Sequence, residues 1–206
     1  ERRLFFLIGD VAGKGLAASM FMAVSKALVK NAALRAPGAA SIGALMTAAN
    51  MEIGRDNAAM FFVTAFAAIL DLDSGDLDYC NAGHDNPLRL APGATDLQTL
   101  ADGDGPPLCV VDGFEYRGAR VRLRPGELLC LATDGVFEAQ DADAALYGHA
   151  RLEAILLRSD LRDAASADVV AAVQADVAAF AGDVEPADDL TLVCLRWKGP
   201  RGSATA

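Results

Sequence analysis

Apolar residues bunch at the start of the chain, where Leu4-Phe5-Phe6-Leu7-Ile8 predicts a buried strand that stops at Gly9-Asp10. A loop carrying Gly13 and Gly15 follows. Leu16, Met20, Val24, Ala27 and Leu28 then recur at helical spacing and predict a helix with one apolar stripe, broken at Pro37-Gly38. A second amphipathic helix places Ile42, Leu45, Met46, Ala49 and Ile53 on one face. Residues 61–72 are apolar on both faces, as a central strand covered on each side requires. Asp73-Ser74-Gly75-Asp76 is a turn into a strand from Leu77 to Asn81, so the two strands form a predicted hairpin.

Further strands are predicted at Pro87–Leu90, Glu115–Leu123, Leu128–Ala132 and Leu190–Trp197. Arg120, Arg122 and Arg124 alternate with Val121 and Leu123, so one side of that strand faces water. Helices are predicted near Arg151–Leu157 and from Ser166, as N-cap, to Phe180, burying Val169, Val170, Val173, Val177 and Phe180. Antiparallel hairpins with helices in separate blocks give an α+β class, with stacked sheets flanked by helices. No repeat and no linker divides the chain, so residues 1–198 are expected to form one domain and 199–206 a disordered tail.

Composition narrows the function classes. The 206 residues are 53% hydrophobic and 22% charged, which suits one globular domain with a full core. A net charge of −10 argues against nucleic acid as the principal partner. No apolar run approaches the roughly 20 residues needed to cross a bilayer, and no signal peptide precedes the first strand. Cys80, Cys109, Cys130 and Cys194 lie far apart without a CxxC pair, so buried reduced thiols and a cytoplasmic location are expected. The chain opens in mid-strand, which suggests the remainder of a longer protein.

Three acidic sites share one pattern, an apolar strand that ends or begins at an aspartate. They are Ile8-Gly9-Asp10-Val11, Leu131-Ala132-Thr133-Asp134-Gly135 and Ala187-Asp188-Asp189-Leu190-Thr191. Each alone is an ordinary turn or cap aspartate. Three of them beside buried strands point to a site for hard cations, which take carboxylate and carbonyl oxygens.

Gly9-Asp10-Val11-Ala12-Gly13-Lys14-Gly15-Leu16-Ala17-Ala18 resembles the GDVSGKGxxAA segment of the metal-dependent PPM (type 2C) protein phosphatases, in their sporulation stage II protein E branch. Asn81-Ala82-Gly83-His84 with Pro87, Gly105-Pro106-Pro107-Leu108, the run from Pro125 to Ala139, and Asp188-Asp189-Leu190-Thr191 also resemble family segments, in the family's order. The resemblance implies an αββα sandwich and a serine/threonine phosphatase using two Mn²⁺ or Mg²⁺ ions. Asp10 would bridge the ions, the Val11 carbonyl would bind one, and Asp134 and Asp188 would hold the other, with Asp189 as a further neighbour. A water shared by the ions would attack phosphorus directly. It also implies a phosphorylated regulatory protein as substrate, such as a STAS-type anti-anti-sigma factor, and an upstream sensor or regulatory domain. The family's GGDxxD-like motif would lie before residue 1, so the N-terminal part of the domain is expected to be missing.

Other features weigh less. Lys14 suits a phosphate contact or plain solvation equally. His84 fits a turn held by hydrogen bonds better than a general acid, His149 is expected at the surface, and the arginine ladder at a solvated strand face. Gly9 and Gly13 are one residue too close for a P-loop. Asp71-Leu72-Asp73 resembles the DxD of haloacid dehalogenase-type aspartyl phosphatases, but Gly75 stands where Thr or Val is expected. A degenerate family member that binds a partner without hydrolysis is the remaining alternative.

Overall fold

The structure, a computed structural model, describes residues 2–35 and 41–200. The predicted break at Pro37-Gly38 and the tail beyond Pro200 lie outside the described residues. The chain is α+β and divides into two compact units, residues 1–84 with 101–122 and residues 85–100 with 123–206.

The first unit is built on a sheet ordered β1 (Arg3–Val11), β2 (Val63–Asp71), β3 (Asp76–Ala82) and β6 (Asp104–Gly105), with β7 (Ala119–Arg122) also paired to β3. β1 outruns its expected end, because Asp10 and Val11 pair with Thr64 and Val63. The β2–β3 hairpin forms as expected: Asp71 Oδ1 accepts the N–H groups of Asp73 and Ser74, both at 2.9 Å. The pairings of β1 with β2, β2 with β3 and β3 with β7 are antiparallel, whereas β6 runs parallel to β3.

Helices α1 (Leu16–Arg35) and α2 (Ile42–Gly54) belong to this unit. α2 buries Ile42, Leu45, Met46, Ala49 and Ile53 as its pattern predicts, and Ser41 caps it by accepting the Ala44 N–H at 3.2 Å. α1 corrects the expectation. Its buried residues are Ala18, Ser25 and Val29, whereas Leu16, Met20 and Val24 are 78%, 61% and 53% exposed.

The second unit holds a sheet ordered β5 (Gln98–Thr99), β4 (Leu88–Leu90), β8 (Leu128–Ala132) and β9 (Leu192–Arg196), with α3 (Asp134–Phe137), α4 (Gly148–Leu156) and α5 (Ser166–Ala181). Its core joins Leu128, Cys130 and Val136 to Leu152, Ile155, Val169, Val173 and Val177. Val170 and Phe180 are only half-buried, and the N-cap of α5 is Ala165, with no side-chain cap bond from Ser166. Glu127 is fully buried and is held by Arg89, whose Nε donates at 2.6 Å, and by the Arg124 N–H at 2.9 Å. All four cysteines are free thiols. No helix among the described residues is long and apolar enough to cross a membrane.

Candidate metal centre

In the first unit, Asp10 lies near the end of β1, half-buried and directly opposite Thr64. The Thr64 hydroxyl donates to the Asp10 carbonyl at 3.4 Å and lies 3.1 Å from His84 Nδ1. A hydroxyl has one proton to give, so when Thr64 turns it towards Asp10 the imidazole must supply the proton between ring and hydroxyl. His84 is itself fixed: its N–H donates to Asn81 Oδ1 and its carbonyl accepts from Asn81 Nδ2, each at 2.8 Å. Gly83 makes this turn possible. Its φ is +71°, and a Cβ there would stand 2.7 Å from the Pro107 ring. His84 therefore holds a turn, as expected, and it also reaches the backbone of Asp10 through one intervening residue. No local motif signals that link, because it depends on the register of three strands.

In the second unit, the wholly buried β8 delivers Thr133 and then Asp134, the exposed first residue of α3. Thr133 is 1% exposed and fastens the distant segment 189–191. Its N–H donates to the Thr191 carbonyl at 3.0 Å, and its hydroxyl accepts the Thr191 N–H at 3.1 Å and donates to the Asp189 carbonyl at 3.2 Å. Gly135 then passes so near that an added Cβ would lie 2.3 Å from the Asp189 carbonyl oxygen. Two acidic segments far apart in sequence thus adjoin along their backbones. Asp188 accepts the Asp189 N–H on Oδ1 at 2.8 Å, and Asp134, Asp188 and Asp189 are all exposed to water.

The donors available at these positions are oxygens, namely the carboxylates of Asp10, Asp134, Asp188 and Asp189 and the carbonyl of Val11. That chemistry fits Mg²⁺ or Mn²⁺ and disfavours soft metals. Among the described residues, no three His, Cys, Asp or Glu side chains are gathered into a preformed metal cluster. Asp10 and Val11 belong to the first unit, and Asp134, Asp188 and Asp189 to the second.

Other candidates resolve differently. Arg120 makes a bidentate ion pair with Asp78, its Nη2 donating at 2.8 Å, and Arg122 Nε meets Asp76 at 2.8 Å, so much of the arginine ladder is neutralised within its own sheet. Asp71 is engaged in its hairpin turn, where the N–H groups of Ser74 and then Asp73 hold its carboxyl below the usual range. His149 is exposed and stacks on Phe137 with ring centroids 3.8 Å apart. Lys14 is exposed.

Residues 1–198 match the family described as Stage II sporulation protein E (SpoIIE). The chain is 25% identical over 173 residues to Protein IcfG of Synechocystis sp., covering 72% of this chain and 27% of that relative's length. The fold is shared with the SiaA-PP2C domain of Pseudomonas aeruginosa, at 22% identity and a TM-score of 0.76, covering 94% of this chain and 78% of that one. It is also shared with the PP2C phosphatase domain of SpoIIE from Bacillus subtilis, solved with a fragment of its regulatory domain, at 16% identity and a TM-score of 0.77, covering 95% and 55%. The catalytic domain of the phosphatase PstP in complex with two manganese ions matches at 14% identity and a TM-score of 0.63, covering 92% and 86%.

Proposed function

The chain belongs to the Stage II sporulation protein E family, and on that premise we propose that it is a metal-dependent protein serine/threonine phosphatase. The observation that carries the reading is the fastening of Asp134 to the Asp188–Asp189 segment through Thr133 and Gly135. A buried hydroxyl and an obligatory glycine are spent on keeping two exposed acidic segments adjacent, where mutual repulsion would otherwise part them. A bound cation relieves that repulsion.

In this reading Asp10, the Val11 carbonyl, Asp134 and Asp188, with Asp189 as a further neighbour, would hold two Mn²⁺ or Mg²⁺ ions. PstP, a structural relative, is described with two manganese ions, which favours the same pair here. When bound, such ions supply a water of lowered pKa and offset charge on the phosphoryl group. The chain's own part is positional. Thr64 and His84 fix the backbone that presents Asp10, and Thr133 fixes the backbone that presents Asp134 and Asp188.

The substrate in this proposal is phosphoserine or phosphothreonine on a regulatory protein, of the STAS anti-anti-sigma type, in cytoplasmic signalling. Residues 1–198 act as one catalytic domain, and a sensor or regulatory domain lies upstream. The SpoIIE relative, solved with a fragment of its regulatory domain, favours the presence of such a domain.

The test is phosphate release from phosphoserine peptides with Mn²⁺, alongside calorimetric Mn²⁺ binding. Asp10→Asn and Asp134→Asn are expected to lower turnover by about a hundredfold or more and to weaken Mn²⁺ binding, with circular dichroism unchanged. Asp71→Asn is expected to keep most activity, because Asp71 serves a turn. Trapping phosphate on Asp71 would replace this reading with an aspartyl-phosphatase one. Peptide binding without hydrolysis under any metal would identify a non-catalytic partner-binding module.

A further inference from the structure

Within the second unit a cavity of about 470 Å³ opens beside Asp188. One wall is the face of α5 made by Gln174, Val177, Ala178 and Ala181, which recur at helical spacing. The other is the segment from Val184 to Leu190, and α3 with its exit closes the end. Ala178 and Ala181 are short, so the helix leaves a hollow where larger residues would have filled it. The hollow is lined by Val177, Val184, Pro186 and Leu190, and Leu190 is 38% exposed.

Its rim is acidic. Glu138, Glu185 and Asp188 line it and are exposed, Gln140 and Gln174 add amides, and among the described residues no Lys, Arg or His lines it. Apolar walls inside a one-signed rim select by charge and by side-chain fit together.

We infer that this groove is a substrate subsite: it seats an apolar side chain of the phosphoprotein segment near the phosphorylated residue, and its rim pairs with a neighbouring Lys or Arg. The occupant follows from charge complementarity and from position, since Asp188, assigned to the metal centre, is one of the residues lining the groove. The inference rests on the phosphatase reading, and it names the substrate class as phosphoserine or phosphothreonine segments with apolar and basic flanks. Acidic flanks are rejected, because they would bring like charge to Glu138 and Glu185.

Two variants test it without touching the proposed ligands or the core. Ala178→Phe fills the hollow from an exposed helical position, and the pair Glu138→Lys with Glu185→Lys inverts the rim. The probes are phosphoserine peptides matched except for Leu-Lys or Gly-Glu flanks, with p-nitrophenyl phosphate as a substrate that has no flanks. In the wild type, KM for the Leu-Lys peptide should be at least about tenfold lower than for the Gly-Glu peptide. Ala178→Phe should raise that KM by about tenfold with kcat held, and rim inversion should reverse the peptide preference. Turnover of p-nitrophenyl phosphate should stay within about twofold throughout.

A second measurement does not depend on catalysis. In amide NMR titrations, the unphosphorylated Leu-Lys peptide should shift Ala178, Ala181, Gly182 and Val184, and the Gly-Glu peptide should not. Equal KM values for both peptides, or shifts absent from those residues, overturn the subsite while leaving the phosphatase reading intact. Failure to hydrolyse p-nitrophenyl phosphate with Mn²⁺ strikes the phosphatase reading instead, and the titration still decides the groove.

Discussion

Gly135 has no room for a side chain, because the Asp189 carbonyl oxygen occupies the space a Cβ would take. Gly135→Ala must therefore move one backbone segment, at a cost of about 2 kcal/mol, and the movement separates the loops that present Asp134 and Asp188. The expected result is a lower midpoint in urea together with weaker Mn²⁺ binding by calorimetry. Thr133→Val keeps the shape and removes the hydroxyl that serves both Thr191 and Asp189. It should cost about 1–2 kcal/mol, and Thr133→Ser should recover most of the loss. The aspartates themselves were legible in the sequence, since each stands where an apolar strand meets polar residues. Thr133 gave no comparable signal: a hydroxyl before an aspartate is common, and its partners lie more than fifty residues away. His84 was legible as a turn residue through its motif, while its reach to Asp10 through Thr64 needed the strand register.

At the scale of elements, α2 and α1 show what periodicity can and cannot decide. α2 has one apolar face, joined in the interior by Asn50, with Ala44, Ala48 and Glu52 exposed on the other, so its buried side was legible. α1 is rich in Ala, Met and Leu around most of its circumference, and two stripes compete. The stripe through Ala18, Ser25 and Val29 takes the interior, leaving Leu16, Met20 and Val24 in water. Leu16→Gln or Met20→Gln should accordingly change stability by no more than about 0.5 kcal/mol. Val29→Ala should cost about 2 kcal/mol, and a reversed order in thermal melts would show that the sequence stripe was the buried one. The β2–β3 hairpin was legible from its turn residues, and its chemistry yields a pH signature. Backbone N–H groups of Ser74 and Asp73 lower the folded pKa of Asp71 below its unfolded value. The stabilisation is therefore present above the unfolded carboxyl pKa and is lost as pH falls through the folded one. Carboxyl ¹³C titration of Asp71 should give a midpoint below the ordinary aspartate value, and Asp71→Asn should flatten that acidic portion of the stability curve.

At the scale of the molecule, the α+β class followed from hairpins and helices in separate blocks, whereas the division into two compact units did not. The first unit takes up again at residue 101 after the second has begun at 85, and the second resumes at 123. Such interleaving needs no Pro- or Gly-rich linker, so composition along the chain carries no trace of it. Net charge, in contrast, is a whole-chain property read directly: 18 basic against 28 acidic residues give −10. A surface of that sign draws cationic segments from beyond contact distance and repels anionic ones. Short-range fit in the groove beside Asp188 is insensitive to salt, while long-range attraction to basic flanks is screened as the Debye length shrinks from about 14 Å to about 4 Å between roughly 0.05 and 0.5 M salt. Raising ionic strength across that range at saturating Mn²⁺ should increase KM for a Leu-Lys phosphopeptide several-fold. A peptide with Leu and an uncharged flank should change little, and p-nitrophenyl phosphate should report any effect on the metal centre itself. If both peptides respond alike, charge plays no part in selecting the segment, and the acidic surface serves solubility alone.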